Sequence, residues 1–170
     1  MKLNLGCGPD HKEDFLGIDI SPECNPDLVF DFEKESLLAH FEEGSIEGIL
    51  AFDIIEHMLH IYAVKVLREC FLLLQPQGKL SIRVPDFEVI INKPGFSTED
   101  KIFFLYGGQE GWRKGFENNE LRRENPENYC HKFAYTKETI KQELCGAGFA
   151  ANTLMEPYNE GTNLIVVAEK

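Results

Sequence analysis

The stretch Leu3-Asn4-Leu5-Gly6-Cys7-Gly8 decides the fold, because an apolar run ends there on a glycine turn. A second apolar run, Leu16-Gly17-Ile18-Asp19-Ile20, follows shortly and closes next to a carboxylate. A buried strand that leads into a glycine turn, followed by a strand that ends on an acid, is typical of the nucleoside-binding edge of an open α/β sheet. Glycine permits a close approach to the backbone, and Asp19 can accept hydrogen bonds from both ribose hydroxyls. The pattern predicts a cofactor-binding enzyme.

The residues after the turn indicate which nucleoside fits. The dinucleotide fingerprint G-x-G-x-x-G provides close approach of a pyrophosphate to a helix N-terminus. Here the run is Gly6-Cys7-Gly8-Pro9-Asp10-His11, which lacks the third glycine and puts a carboxylate near the expected phosphate. Repulsion by Asp10 disfavours a pyrophosphate. A ligand with a ribose and an adenine but no phosphate, such as S-adenosylmethionine, is compatible with these residues.

Three later segments continue a family pattern in the expected order. They are Val29–Phe32, which carries an acid, Ile49–His57, which ends in a Glu-His pair, and Leu72–Leu80, which contains a Pro-Gln-Gly turn. Together with the first two segments they resemble the class I S-adenosylmethionine-dependent methyltransferases, in particular the small-molecule, type 11-like members. Two positions differ from the family pattern: Asn4 stands where an acid is usual, and Asp10 where a glycine often occurs.

The resemblance implies S-adenosyl-L-methionine as the cofactor and a set of residues that bind it. Asp19 would hold the ribose hydroxyls and Asp31 the adenine amino group, although Asp31 could instead cap the following segment. Phe32 belongs either to the core or to the wall of the adenine pocket. Asp53 follows the fourth strand, at the edge where open α/β sheets bind ligands. The full predicted cofactor set is Asn4, Gly6, Cys7, Gly8, Asp19, Ile20, Asp31, Phe32 and Asp53.

Two histidines are the candidate catalytic residues. His57 stands beside the position expected for methyl transfer, and His131 follows a long irregular segment. Either imidazole could take a proton from an acceptor hydroxyl or amine near neutral pH. The alternative for His57 is a structural hydrogen bond to its turn, and Glu56 could serve the N-terminus of the next helix. Residues 86–135 are predicted to form the acceptor site or a lid, because their aromatic residues favour a packed functional loop.

The alternation of short apolar runs and helical segments predicts an α/β fold. We expect a doubly wound, mostly parallel, seven-stranded Rossmann-like sheet with an antiparallel final strand, in a single three-layer domain over residues 1–170. Strands are predicted at residues 2–5, 16–20, 28–31, 47–52 and 79–84, with a closing hairpin at 151–157 and 162–169. Helices are predicted at about 61–74, from a Ser97–Asp100 capping box to Tyr106, and from Thr136 to Leu144.

Composition excludes several classes of function. The chain of 170 residues has a net charge of -12, and none of its apolar runs approaches the roughly 20 residues of a membrane span. With no visible signal peptide, a cytoplasmic protein that does not enter a membrane is expected. The acidic charge disfavours nucleic acid. The candidate basic cluster, Arg113–Lys114 with Arg122–Arg123, is interleaved with glutamates.

Cysteine and histidine spacing predicts neither a disulfide framework nor a metal site. The five cysteines, at positions 7, 24, 70, 130 and 145, form no C-x-x-C pair. Cys70 and Cys145 are expected to be small core residues. The histidines are scattered and lack a motif such as H-E-x-x-H. His11, His40 and His60 are interpreted as surface or capping residues.

The sequence therefore predicts methyl transfer from S-adenosylmethionine to a small-molecule acceptor by in-line displacement. Because the chain begins almost directly on the first strand, an exposed cofactor edge favours a homodimer. Three alternatives remain. An NAD-dependent oxidoreductase is disfavoured by Pro9-Asp10 and by the lack of a Tyr-x-x-x-Lys pair. A non-catalytic binding or regulatory module could keep this fold, and a methyltransferase acting on a protein or glycan could use the acidic surface for a basic partner.

Overall fold

A computed structural model describes residues 1–107 and 125–170, and one sheet forms its centre. The strands are β1 Lys2–Leu5, β2 Phe15–Asp19, β3 Leu28–Val29, β4 Ile46–Phe52, β5 Leu74–Pro85, β6 Tyr158–Glu160 and β7 Asn163–Glu169. The described helices are α1 His60–Leu73, α2 Phe87–Asn92, α3 Thr98–Tyr106 and α4 Lys137–Ala147.

The sheet has the topology of a Rossmann-like α/β fold. Its seven strands follow the order β3-β2-β1-β4-β5-β7-β6. The pairs among β1 to β5 are parallel, whereas β7 runs antiparallel to both β5 and β6. The prediction of a mostly parallel, seven-stranded sheet with an antiparallel final strand is confirmed.

One face of the sheet carries the hydrophobic core. Leu5, Ala51 and Ile82 occupy the same level of β1, β4 and β5 and are almost completely buried. α1 and α4 cover this face and add apolar side chains to the same cluster, among them Val66, Leu67, Cys70, Leu73, Ile140 and Leu144. Each buried methylene contributes about 0.8 kcal/mol to the free energy of unfolding, so this apolar layer is the main source of stability.

The opposite face is covered by short connections. Residues 6–14, between β1 and β2, contain no helix, and residues 20–27 contain the 3-10 turn Pro22–Cys24. Right-handed crossovers place both connections on the face opposite α1. Strand side chains on that face, such as Leu50, Phe52 and Val167, are only partly buried. Among the described residues, the layer on this face is therefore thinner than the layer formed by α1 and α4.

Two predictions about helix faces are corrected. The predicted helix at about 61–74 is confirmed as α1. Helical spacing of apolar residues predicts a face of Val64, Leu67, Cys70, Phe71 and Leu74, but the buried face is rotated, because Val64 and Phe71 are only half-buried. The residues buried instead are Ala63, Val66, Leu67, Glu69, Cys70 and Leu73. The prediction that Cys145 is a core residue is wrong, because Cys145 lies on the exposed side of α4. Cys70 is buried, as predicted.

Strand boundaries differ from prediction at several places. β5 begins at Leu74, five residues before the predicted start, and β2 ends at Asp19 and not at residue 20. β3 ends at Val29, because Asp31 already belongs to a turn in which Lys34 N and Glu35 N donate to Asp31 O. The closing hairpin is confirmed in its second strand, β7. The strand paired with β7 is β6. Of the predicted residues 151–157, Ala151–Thr153 forms a 3-10 turn, and Leu154 makes an isolated antiparallel bridge to Ala168 of β7.

Both predicted helix starts are built as expected. Ser97 and Asp100 form a capping box at the start of α3, and Thr136 and Thr139 form one at the start of α4. The predicted loop after Gly107 is described only from residue 125 onward. Its basic cluster and the aromatic residues Trp112 and Phe116 lie outside the described residues. Within residues 1–107 and 125–170, no helix has the length and apolar character needed to cross a membrane.

Candidate functional site

The glycine turn after β1 relies on backbone freedom at two positions. Gly6 and Gly8 have φ angles of 62° and 53°, in the left-handed region that favours glycine. A Cβ on Gly6 would lie 2.4 Å from Ile54 Cδ1, so the turn packs directly against the residues that follow β4. A Cβ on Gly8 would meet no atom of the described residues within 4 Å. Gly6 is thus needed for packing, while Gly8 borders open space.

Asp19 ends β2 and holds the same turn. Its Oδ2 accepts a hydrogen bond from Gly8 N at 2.8 Å, and its Oδ1 accepts one from Ser21 N at 2.9 Å. The side chain is 9% exposed. Each carboxylate oxygen has two lone pairs, so both can accept a further hydrogen bond. Ile20, the next predicted site residue, is exposed beside this carboxylate.

Cys7 lies within the turn, and Asn4 lies in β1, which leads into it. Cys7 N donates to Ile18 O at 3.1 Å, which joins the turn to β2. Burial, with a smaller contribution from Asp19, raises the pKa of the Cys7 thiol to about 11. A Cβ on Gly17 would lie 3.0 Å from Cys7 Sγ, so a neutral thiol fills this space. Asn4 is buried in β1.

Asp31 and Phe32 make local contacts beyond β3. The Asp31 carboxylate accepts a hydrogen bond from Glu33 N at 3.0 Å and pairs with Lys34 at 2.8 Å. Phe32 belongs to the core cluster and packs edge-on against Phe30, with ring centroids 5.0 Å apart. These contacts support the capping alternative for Asp31 and the core alternative for Phe32. Their contacts with adenine stay predictions.

Asp53 follows β4 and forms an ion pair with Arg83 of β5. Arg83 Nε donates to both Asp53 carboxylate oxygens at 3.0 Å. The guanidinium also lies 5.1 Å from the centroid of the Phe52 ring. The hydrogen bond to Asp53 is the main cause of the raised pKa of Arg83. Sequence reasoning missed Arg83, because its partner lies 30 residues away in the chain.

Glu56, His57 and His131 come together beyond the carboxyl end of β4. The first two lie in the 3-10 turn Ile55–His57, which directly precedes α1. One potential ligand atom from each residue lies within 4.8 Å of the others. The His57 and His131 rings meet edge to face, with centroids 4.8 Å apart. The structure thus joins the two predicted catalytic histidines and adds a carboxylate to them.

Backbone hydrogen bonds hold the distant segment in place. Glu56 O accepts from Lys132 N at 2.7 Å and from Phe133 N at 3.2 Å. His131 N donates to Tyr106 O at 3.1 Å, which ties the same segment to the end of α3. The sequence offered no sign of this arrangement, because main-chain bonds between remote segments leave no trace in residue spacing.

The Glu56 carboxylate is the most unusual group of this cluster. It is 1% exposed, and neither of its oxygens has a hydrogen-bond partner within the described part of the chain. It therefore does not serve the N-terminus of α1, the alternative that the sequence suggested. Burial, with a smaller contribution from Asp53, raises the pKa of Glu56 well above its ordinary value.

The other histidines make the surface and structural contacts expected for them. His11 Nε2 lies 3.0 Å from Cys24 O, and His40 Nε2 lies 3.8 Å from Glu35. His60 pairs with Glu143 of α4 at 2.7 Å and stacks on Phe133 with ring centroids 4.3 Å apart. These residues bridge or border elements outside the three-residue cluster.

Comparison with known proteins identifies the fold. No protein-family model and no curated protein sequence matches this chain. A solved S-adenosylmethionine-dependent methyltransferase from Archaeoglobus fulgidus has a TM-score of 0.64 and 14% identity, over 99% of this chain and 85% of that one. For a similar enzyme from Mesorhizobium loti these values are 0.62, 14%, 99% and 90%.

A third similar structure contains a bound cofactor product. It is the 1,6-didemethyltoxoflavin-N1-methyltransferase from Burkholderia thailandensis, solved with bound 1,6-didemethyltoxoflavin and S-adenosylhomocysteine. Its TM-score is 0.59 at 13% identity, over 99% of this chain and 70% of that one. The chain therefore has the fold of the class I S-adenosylmethionine-dependent methyltransferases.

Proposed function

We propose that this protein transfers a methyl group from S-adenosyl-L-methionine to a small-molecule acceptor. One observation carries the proposal: the turn at Gly6–Gly8 is hydrogen-bonded through Gly8 N to the Asp19 carboxylate. Both groups lie at the carboxyl ends of the adjacent strands β1 and β2. This edge of an open α/β sheet is where nucleoside ligands bind.

The residues at this edge fit the cofactor. Open space next to Gly8 allows a ligand to lie against the backbone. The Asp19 oxygens can each accept a ribose hydroxyl in addition to their backbone donors. When bound, S-adenosylmethionine supplies an activated methyl group on a sulfonium, and its positive charges are compatible with acidic surroundings. The fold shared with the solved methyltransferases supports the same assignment.

The remaining tasks of the chain are to orient the acceptor and to exclude water. His57 and His131 lie beyond β4, next to the strand that ends in the glycine turn. Ile54 connects the two regions, because its side chain packs against Gly6. When an acceptor hydroxyl or amine gains a methyl group, its proton must leave, and an imidazole at this edge can accept it.

The proposal of a small-molecule acceptor rests on the net charge of the chain. A net charge of -12 repels phosphate backbones, which favours a small acceptor over nucleic acid. The structural contacts of the described residues add no test of the acceptor. The homodimer and the cytoplasmic location also stay predictions of the sequence.

Cofactor binding is tested by thermal unfolding and calorimetry with S-adenosylhomocysteine and, separately, NADH. Saturation with S-adenosylhomocysteine at 100 times its Kd should add about 2.7 kcal/mol and raise Tm by several degrees. Asp19→Asn should weaken binding strongly. The matched control is Glu69→Gln, a buried carboxylate on α1 that accepts from Leu37 N at 2.9 Å. This control should leave the affinity unchanged.

The proposal would be overturned if the folded protein shows neither a Tm shift nor calorimetric binding with S-adenosylhomocysteine. A Tm shift with NADH alone would favour an oxidoreductase. The acceptor class is tested with methyl-labelled cofactor and a cell extract divided into small molecules and macromolecules. Label in the small-molecule fraction supports the proposal. Label confined to the protein or glycan fraction contradicts the small-molecule acceptor.

A further inference from the structure

The geometry points to a binding site for one divalent transition-metal ion, formed by Glu56, His57 and His131. One potential ligand atom from each of these residues lies within 4.8 Å of the other two. The set combines two imidazoles and a carboxylate. This donor set suits Zn²⁺, Co²⁺ or Fe²⁺, whereas Mg²⁺ and Ca²⁺ prefer oxygen ligands alone.

The unpartnered carboxylate is an independent reason to expect a cation. Glu56 is 1% exposed, and both of its oxygens lack a hydrogen-bond donor among the described residues. A buried polar group without a partner costs about 1–3 kcal/mol, and more when it is charged. Buried carboxylates are normally paired with a cation or coordinate a metal. An ion held by the two imidazoles would supply the missing partner.

The surroundings of the cluster resemble the outer shell of a metal site. His57 Nδ1 lies 3.2 Å from Cys130 O. A carbonyl oxygen can only accept, so Nδ1 carries the proton of this hydrogen bond and Nε2 would be the metal-binding atom of the neutral ring. Metal-binding histidines usually donate their second ring nitrogen to such an acceptor. The buried Tyr135 hydroxyl also lacks a hydrogen-bond partner in the described structure.

The distances require a small adjustment. Ligand atoms around a tetrahedral zinc ion are about 3.4 Å apart, given bonds of about 2.0–2.2 Å. Contraction from 4.8 Å therefore needs side-chain movements of about an ångström. His57 and His131 are only partly buried, which leaves an approach from solvent, while Glu56 lies at the base of the site.

Three protein ligands leave room for a fourth. Catalytic zinc sites keep such a position for water or substrate. An acceptor oxygen bound there would lose its proton more readily, because a bound cation lowers the pKa of its ligand. This role of the ion in activating the acceptor rests on the proposed function, and in it His57 and His131 are ligands of the ion. Binding of the ion itself rests on neither cofactor nor acceptor.

The test is direct metal binding by the full chain after treatment with a chelator. Calorimetry with Zn²⁺ and visible spectroscopy with Co²⁺ should show one ion per chain, and the cobalt spectrum should have the strong bands of a four- or five-coordinate site. His57→Ala and His131→Ala should each weaken Zn²⁺ binding by more than about tenfold, the lower range for loss of a supporting residue. His40→Ala is the matched control, because His40 is exposed and pairs with Glu35.

A wild-type measurement covers the case in which a variant does not fold. In ¹H–¹⁵N spectra of the imidazole rings, Zn²⁺ should shift two histidines and leave His11, His40 and His60 in place. The inference is overturned if the folded protein binds no Zn²⁺, or if His57→Ala and His131→Ala bind it like wild type. It is also overturned if the shifted rings belong to other histidines.

The same sample separates this inference from the proposed function. S-adenosylhomocysteine affinity is measured with and without chelator. Cofactor binding without Zn²⁺ binding contradicts the metal site and leaves the methyltransferase proposal intact. Zn²⁺ binding without cofactor binding supports the metal site and contradicts the methyltransferase proposal.

Discussion

Asp19 and Glu56 are buried carboxylates at the same edge of the sheet, and they differ in how they are paired. Asp19 is the last residue of β2 and accepts hydrogen bonds from two backbone N–H groups, those of Gly8 and Ser21. Glu56 lies beyond β4 and accepts none within the described structure. Asp19 is therefore satisfied by the fold alone, whereas Glu56 needs a proton or a cation from outside. The first carboxylate builds the turn and keeps lone pairs for a ribose, whereas neither oxygen of the second is engaged within the described structure.

The largest expected effect is that of Asp19→Ala. The change leaves the amides of Gly8 and Ser21 without their acceptor and should lower the free energy of unfolding by about 4 kcal/mol, at about 2 kcal/mol per orphaned donor. Urea unfolding without ligand measures this. Asp27→Ala is the control, because Asp27 is exposed and, among the described residues, accepts a single hydrogen bond, from Gly17 N at 2.7 Å. Equal losses of unfolding free energy in the two variants would show that the two hydrogen bonds of Asp19 stabilise the fold no more than the one that Asp27 accepts.

Glu56→Gln should change the pH dependence of stability in metal-free protein. The pKa of Glu56 is raised in the folded state, so its contribution is fully present below the unfolded-state pKa of about 4.5 and is lost as pH rises toward the folded-state pKa. Wild type should lose about 1.4 kcal/mol per pH unit in that interval from this group. Unfolding of both proteins between pH 5 and 8 should show a flatter profile for the variant. Parallel profiles would mean that Glu56 is ionised and paired.

Gly8→Ala should separate the role of the turn in folding from its role in binding. The left-handed backbone of Gly8 costs alanine about 1–2 kcal/mol of stability. The alanine methyl group would meet no atom of residues 1–107 and 125–170 within 4 Å, so the further effect should be weaker binding of S-adenosylhomocysteine. Gly44→Ala is the control, since Gly44 also has a positive φ and open space around it. Both variants should lose similar stability, and unchanged affinity in Gly8→Ala would place the cofactor elsewhere.

The smallest expected effect concerns the exposed carboxylate at this edge. Asp53 pairs with Arg83, and both side chains are more than a third exposed, at 41% for Asp53 and 35% for Arg83. Solvent screening limits such pairs to less than about 1 kcal/mol. Asp53→Asn should therefore change stability by less than that amount, as measured by urea unfolding at low and high salt. A loss as large as that of Asp19→Ala would show that exposure does not separate these carboxylates.

The fold was predictable where the signal is local. The turn at Gly6–Gly8, the capping box at Ser97 and the position of α1 all depend on residues within a few positions of one another. The rotation of the buried face of α1 was not predictable in this way, because contacts with α4 and the sheet decide it. The exposed position of Cys145 has the same cause.

The same difference between local signals and long-range contacts applies to the candidate site. The Gly8–Asp19 bond joins neighbouring strands and follows from the order of the segments. The contact between His57 and His131 spans 74 positions, and spacing along the chain gave no reason to place these rings together. The prediction that the scattered histidines form no metal set considered spacing alone. Folding supplies the proximity that the proposed metal site requires.

The two hydrogen bonds that Glu56 O accepts have a consequence for solvent exchange. Lys132 and Phe133 belong to an irregular segment, yet their amide hydrogens point at a main-chain oxygen of a buried residue. These amides should exchange with deuterium far more slowly than others in such a segment, because exchange requires the segment to leave the turn. Their exchange rate then reports how often His131 separates from His57, in a protein with no ligand bound.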